Sequence, residues 1–321
     1  MYQNKKVLLI AGGGTLGSYT AKELLRLGAS VDVICLEDHV SDHPNLRFFK
    51  NFASKEVLQA LFRSRHYDGI VNFIHYKNAD DYKQIHPFLI ENTDHLIFLS
   101  SYRVYADKQH PITEEAPRLY DVVSDPVFLE TENYAVPKSI CEDYLKRERK
   151  SDPWTIVRPV ISFSHLRLDL LLYSGKRVLE AAEQGRELIL PSLIKDYSAG
   201  IDWAGNSGKL IANLLFRREA IGEAFTVYSG HGMTWGEVAQ AYQRQTGVQI
   251  RWCGEEEFVA SRPSLQKEPW MWIYDRKFNR QIDASKILRV TGLGKDDFRS
   301  VEEGIRRELD VLNWQKPQKQ P

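Results

Sequence analysis

In the stretch ENYAVPKSICEDYL, Tyr134 and Lys138 stand four residues apart, which on a helix puts both side chains on one face and within reach of one small volume. That pairing suits proton transfer. A phenol is a poor base near neutral pH because its reference pKa is ~10. An ammonium beside it favours the phenolate and brings the tyrosine into range for taking a hydroxyl proton. Pro137 fits such a helix only in its first turn, where its missing N–H is not needed. Upstream, HLIFLSSYRVYAD reads as a strand followed at once by Ser100 and Ser101, where a hydroxyl can hydrogen-bond the oxygen that loses its proton.

A second constellation lies at the N-terminal end of the chain. Ala11-Gly12-Gly13-Gly14-Thr15-Leu16-Gly17 separates an apolar strand, KVLLI, from a helix that puts Leu16, Ala21, Leu24 and Leu25 at helical spacing. A pyrophosphate needs backbone N–H groups at a helix N-terminus, no side chains in its way, and a glycine that lets the helix approach the sheet. Gly12, Gly14 and Gly17 are placed to meet those needs, and a glycine pattern in this context is far more specific than one standing alone. After the second strand, VDVIC, the nearest acids are Glu37 and Asp38. Glu37 is the candidate for a ribose hydroxyl, or simply a solvated loop acid. Neither the glycine loop nor the end of that strand carries a Lys or Arg for a 2′-phosphate, so NAD is expected rather than NADP.

These residues need a scaffold, and the hydrophobic pattern supplies one. Strands are expected at 6–10, 31–35, 69–74, 95–99 and 154–157, alternating with helices near 16–27, 54–65, 79–92 and 133–149. That rhythm predicts an α/β fold, a doubly wound parallel sheet of Rossmann type. After Pro159 the rhythm changes: helices near 170–184, 204–217, 234–246 and 301–312 surround the segment LILPSLIKDYSAGIDWAG and a strand AFTVYS. Residues 1–165 are therefore read as the dinucleotide-binding domain and 166–321 as a smaller mixed α/β lobe for substrate, with interleaving segments that complete the sheet. The polar tail QKPQKQP is expected to fray.

Composition excludes several classes. The 321 residues carry 43 Lys plus Arg and 43 Asp plus Glu, so no nucleic-acid or membrane-surface partner is indicated. No apolar run approaches the ~18 residues of a membrane span, and no leader pattern precedes the first strand, which predicts a cytoplasmic protein. Cys35, Cys141 and Cys253 are too dispersed for a disulfide framework or a zinc site, and no metal is expected.

The glycine loop, LSSYRVY, YAVPK and VRP, in this order and spacing, resemble the extended short-chain dehydrogenase/reductases, in particular the nucleotide-sugar epimerase and dehydratase group typified by UDP-galactose 4-epimerase. The resemblance spans the chain, since IVNFIHYK, KDYSAGIDWAG and IDASKILRVTG match further family segments. It implies Ser101 as the catalytic hydroxyl, Tyr134 as the base and Lys138 as the ribose-binding lysine that lowers the tyrosine pKa. It implies cofactor contacts from Ala11, Gly12, Gly14, Thr15, Leu16, Gly17, Asn51, Phe52, Phe73, Ile74 and Lys77. Substrate contacts would come from Ser101, Tyr102, Lys195 and Arg276 or Arg280.

The chain also departs from the family pattern. Ala11 replaces the first glycine, Ile161 and Ser162 stand where an asparagine often meets the sugar, and Ala199-Gly200 replace a His-Val pair before Asp202. Arg103 stands where dehydratases and decarboxylases carry an acid, which disfavours both reactions. The resemblance implies an NAD-dependent epimerase that acts on a nucleotide sugar through a transient keto intermediate. The alternatives are a net oxidoreductase on a small alcohol or carbonyl compound, or a non-catalytic NAD- or RNA-binding relative. Relatives pair two helices across a homodimer interface, and Tyr82, Ile85, Leu89, Ile140, Tyr144 and Leu145 could form that face or belong to the core. His75 reads as a hydrogen-bonded strand-end histidine, and PWMWIYDRKFNR is expected near the substrate cleft.

Overall fold

The computed structural model describes residues 2–317; the last residues of the polar tail, expected to fray, lie outside the described residues. Seven parallel strands form the central sheet: β1 (Lys6–Ile10), β2 (Ser30–Cys35), β3 (Leu46–Lys50), β4 (Gly69–Asn72), β5 (Leu96–Leu99), β6 (Trp154–Pro159) and β12 (Glu223–Val227), in the order β3-β2-β1-β4-β5-β6-β12. The chain reverses its direction of travel across the sheet at β1, which pairs Val7 with Val31 on one side and with Gly69 on the other. Such a switch point leaves a crevice beyond the strand ends, where α/β proteins bind ligands.

The strands are nearly continuous apolar runs because helices cover both faces. On one face lie α1 (Thr15–Arg26) and α8 (Ala204–Leu214); on the other, α2 (Lys55–Ser64), α3 (Ala79–Ile90) and α6 (Ala135–Glu148). Tyr82, Leu89, Tyr144 and Leu145 are buried, and Ile85 and Ile140 are partly buried against the same clusters. These contacts pack α3 and α6 against the sheet.

Short helices α4 (Leu119–Val122) and α5 (Pro126–Thr131) precede α6. Beyond β6 the second lobe is built on two small parallel ladders, β7 (Ile161–Phe163) with β11 (Ile201–Trp203), and β10 (Glu187–Pro191) with β13 (Gln249–Cys253). A two-residue antiparallel ladder joins β8 (Asp169–Leu170) to β9 (Tyr173–Ser174). Helices α7 (Gly175–Glu183), α9 (Trp235–Thr246), α10 (Glu255–Ala260), α11 (Pro263–Lys267), α12 (Ser285–Thr291) and α13 (Val301–Val311) complete it.

One strand was absent from the sequence reading: LRFFK forms an edge strand, β3, whose half-exposed pattern gives only a weak apolar signal. The strand around AFTVYS is a segment that interleaves to complete the main sheet, pairing Glu223–Val227 with Thr155–Pro159. Among the described residues no helix is long and apolar enough to cross a membrane.

Glu308 on α13 ties the lobes together. Its buried carboxylate accepts from Tyr19 Oη on α1, Trp203 Nε1 at 2.6 Å, His165 N at 2.6 Å and the His165 ring at 2.7 Å. Burial pushes its pKa up, but these donors more than offset that and hold it below the ordinary glutamate range. Truncation would leave several buried donors unpaired, at a cost of ~1–3 kcal/mol for such a group. Glu308→Ala is therefore expected to lose about 2 kcal/mol in urea unfolding; an unchanged midpoint would contradict this role.

Candidate active site

β1 ends at Ile10 and the chain turns through Ala11 at φ +55°, a left-handed conformation that costs an L-residue ~1 kcal/mol or more. This is the position where the family pattern has glycine. Gly14 is the N-cap and α1 begins at Thr15. A Cβ on Gly17 would run into the Gly12 backbone, so loop and helix touch here, whereas a Cβ on Gly14 would meet nothing within 4 Å. Close contact behind and open space in front of a helix N-terminus are what a pyrophosphate needs, so the loop fits a dinucleotide. Gly17→Ala is expected to abolish any thermal stabilisation by NAD, and a shift equal to that of the unaltered protein would contradict this fit.

In front of the loop opens a cavity of about 360 Å³. It is lined by Ala11 and Gly14–Gly17, Phe73, Leu99–Arg103, Tyr134, Pro159–Ser162, Arg167, Met271, Asp275 and Arg276. The glycine loop and the reactive residues thus share one chamber. Ser101 caps a short turn, its Oγ accepting from Arg103 N at 3.2 Å, and its hydroxyl also hydrogen-bonds the Tyr134 phenol. Tyr134 is the N-cap of α6, and Pro137 falls in the first turn, as required. The buried Glu132 crowns that helix: its Oε2 accepts from the backbone N–H groups of Tyr134, Ala135 and Val136 at 2.9, 2.6 and 3.0 Å, which fixes the tyrosine. Lys138 Nζ donates to Leu99 O at 2.6 Å and lies 5.2 Å from the Tyr134 ring centroid.

Burial alone would push the Tyr134 phenol up. Lys138, Arg103 and the Ser101 hydroxyl outweigh it, and the phenol sits below its ordinary value. Burial also weakens the Lys138 ammonium, an effect the neighbouring phenolate opposes. The His75 ring stands 4.8 Å from that of Tyr134, and its Nδ1 has no hydrogen-bond partner. Burial, with Lys138, Lys77 and Arg103 nearby, pushes His75 down to about 4, so it is neutral at pH 7. His75 keeps a backbone hydrogen bond at Asn133, in line with the hydrogen-bonded role read from the sequence, and its ring also lies tilted by 39° against that of Tyr134.

Behind Ser101 lies a buried charge network. Tyr102 Oη donates to Asp275 Oδ1 at 2.6 Å and accepts from Arg276 Nη1 at 2.7 Å. Arg276 also meets Asp275 Oδ2, Asp169 Oδ2 and Leu171 O. Tyr102 and Arg276 therefore line the cavity while spending most of their polar atoms on each other. Arg280 donates to Tyr105 O and closes on Asp275 at 3.5 Å.

Not every expected site residue gathers here. Lys195 is exposed on the second lobe, its ammonium 5.5 Å from the Trp252 ring centroid, away from the cavity. Glu37, Asn51 and Lys77 are exposed and Phe52 is 68% exposed, all near the ends of β2, β3 and β4; Ile74 is partly buried. Cys35, Glu37 and His39 place their donor atoms within 4.8 Å of one another, but burial pushes the Cys35 thiol up, which works against thiolate ligation of a metal.

Met271, Asp275 and Arg276 bring the segment PWMWIYDRKFNR to the cavity wall. Glu132 and Arg167 are site residues that the sequence reading passed over, and Asp275 was covered only as part of that segment. Only Glu132 had a local signal, an acid just before a helix start.

No protein-family model and no curated protein matches the chain. Solved structures do. An epimerase, Mth375, from Methanothermobacter thermautotrophicus has a TM-score of 0.71 at 19% identity, covering 97% of this chain and 93% of its own. A UDP-glucose 4-epimerase from Stenotrophomonas maltophila, with bound NAD and formylated UDP-arabinopyranose, has a TM-score of 0.67 at 15% identity, covering 95% and 96%. WbmG from Bordetella bronchiseptica, in complex with NAD and UDP, has a TM-score of 0.68 at 16% identity, covering 95% and 94%. The chain shares their fold over nearly its whole length.

Proposed function

We propose that this chain is an NAD-dependent enzyme of the nucleotide-sugar epimerase and dehydratase kind, and that it epimerises a sugar carbon through a transient ketone. The observation that carries the reading is one cavity lined by a dinucleotide-type glycine loop and by Ser101 and Tyr134, with the buried Lys138 ammonium 5.2 Å from the Tyr134 ring centroid. The similar structures solved with NAD support it.

The loop from Ala11 to Gly17 would hold the pyrophosphate, Glu37 the ribose on the adenine side, and Lys138 with Phe73 the nicotinamide side. A bound NAD supplies a hydride acceptor that can return what it takes. The chain supplies the proton chemistry: Tyr134 Oη takes the hydroxyl proton, Ser101 Oγ donates a hydrogen bond to the same oxygen, and Lys138 keeps the phenolate favourable. For the nucleotide, room exists past Arg167, Met271 and Arg276, where the cavity meets a second cleft of about 590 Å³. Tyr102 and Arg276 shape the passage, and Lys195 would reach the substrate only with movement of its segment. Arg103 in place of an acid argues against dehydration and decarboxylation.

Incubation with NAD and a panel of UDP-, GDP-, dTDP- and CDP-sugars, followed by NMR of the anomeric protons, tests the proposal. An epimer should form with no NADH accumulating. Stoichiometric NADH would favour net oxidation of a smaller alcohol, a reading for which Ile161 on the cavity wall, in place of the family's asparagine, speaks. A homodimer in the cytoplasm is the setting proposed, and light scattering on the purified chain checks the dimer.

A further inference from the structure

Arg103 occupies an unusual place. Its guanidinium carbon lies 4.5 Å from the Tyr134 ring centroid, closer than the Lys138 ammonium at 5.2 Å. Two carboxylates hold it there: Nη2 donates to Glu132 Oε1 at 3.2 Å, and Nε is 3.4 Å from Asp275 Oδ2. Glu132 uses its other oxygen to fix the backbone of Tyr134, so one side chain sets both the phenol and the cation over it. The backbone N–H of Arg103 meanwhile orients Ser101.

We propose that Arg103 acts on the reaction through Tyr134, as a second cation that stabilises the phenolate alongside Lys138. This rests on the reading of Tyr134 as the proton acceptor. A cation over the face of an aromatic ring is attracted even to the neutral phenol, and more strongly to the anion. Arginine suits the task because its planar, delocalised cation lies well over an aromatic face, whereas burial weakens the Lys138 ammonium.

The groups facing Tyr134 are Lys138 from α6, Arg103 and Ser101 from the turn after β5, His75 from the loop after β4 and Arg167 from the loop after β7. His75 is neutral, and Glu132 and Asp275 are engaged with Arg103. The field on the phenol is therefore set by the cations Lys138, Arg103 and Arg167, carried by three different elements.

The test is a titration of the full chain labelled with ¹³Cζ-tyrosine, with the Tyr134 signal identified by its loss in Tyr134→Phe. Arg103→Gln keeps a donor for Glu132, the carboxylate to which the Arg103 side chain donates, but removes the charge. It should raise the Tyr134 midpoint by about one pH unit or more. Arg103→Lys, which keeps the charge, should stay nearer the unaltered protein. Arg103→Met is a second charge-free variant, so a folding failure of one leaves the other to be read.

A midpoint that does not move in the charge-free variant, or that moves as far in Arg103→Lys, would overturn the proposal and leave Arg103 a structural strut. The titration needs neither cofactor nor substrate, so its outcome separates from that of the parent reading. An unmoved midpoint with turnover lost in Tyr134→Phe defeats the Arg103 role alone. A moved midpoint with full turnover in Tyr134→Phe contradicts the parent reading instead.

Discussion

Tyr134→Phe will lower turnover by about 10²–10⁴-fold, the range that a positioned acid–base group contributes, while stabilisation by NAD stays as in the unaltered protein. The ring remains, so its packing on His75 and the cation contacts of Arg103 and Lys138 keep their apolar partner. Only the hydroxyl is lost, and with it the atom placed to take the substrate proton. The loss should therefore appear in kcat, with the cofactor dissociation constant little changed. Turnover within about threefold of the original would leave the chain a redox fold that does not use this group.

Arg158→Leu will cost about 3–5 kcal/mol of stability, the penalty for leaving a buried charge without its partner. Arg158 on β6 and Glu142 on α6 are both fully buried; Nε and Nη2 meet the two carboxylate oxygens at 2.8 and 2.5 Å. Nη1 adds Tyr105 Oη at 2.9 Å and Glu114 O at 2.8 Å. Burial would push Glu142 up, but the Arg158 charge outweighs it and draws the carboxyl down to about 2.

The pH dependence follows from that depression. A carboxyl whose folded pKa lies below its unfolded value contributes fully above the ordinary glutamate range, ~4.3, and the contribution is lost as pH falls through about 2. Acid unfolding of the intact protein should therefore steepen between those values, and Arg158→Leu should flatten it. Urea unfolding at several pH values checks both statements; a variant within 1 kcal/mol of the original at pH 7 would contradict them.

The pair also shows what a sequence hides. Glu142 stands one helical turn beyond Lys138, and Arg158 belongs to the VRP motif, yet nothing in their spacing announces that one helix and one strand bury them together. The local features were legible. The glycine loop lies between an apolar strand and an apolar helix, Tyr134 and Lys138 sit at helical spacing, and Pro137 could only be near a helix start; each depends on residues a few positions apart.

Features set by distant residues were not legible. Glu223–Val227 pairs with Thr155–Pro159, nearly seventy positions away in the chain. Asp275 reaches Tyr102 from 173 positions away. The same limit explains the substrate contacts. Lys195 was placed by a matched segment, and Arg276 or Arg280 only as a second contact at a poorer spacing; the structure turns Lys195 toward Trp252, and brings Arg276 to the cavity wall bonded to Asp169, Asp275 and Tyr102. His75 could not be read as a neighbour of Tyr134 because the loop after β4 and the start of α6 meet only in three dimensions.

The most direct test of the central claim, that the glycine loop and Tyr134 serve one NAD-dependent reaction chamber, is thermal unfolding titrated with NAD and, separately, NADP. Ligand that binds only the folded state raises the midpoint with concentration, by ~2.7 kcal/mol of added stability at a hundred times the dissociation constant. A saturating rise is expected with NAD, a smaller one with NADP, and none with NAD in Gly17→Ala. No rise with either cofactor would contradict it.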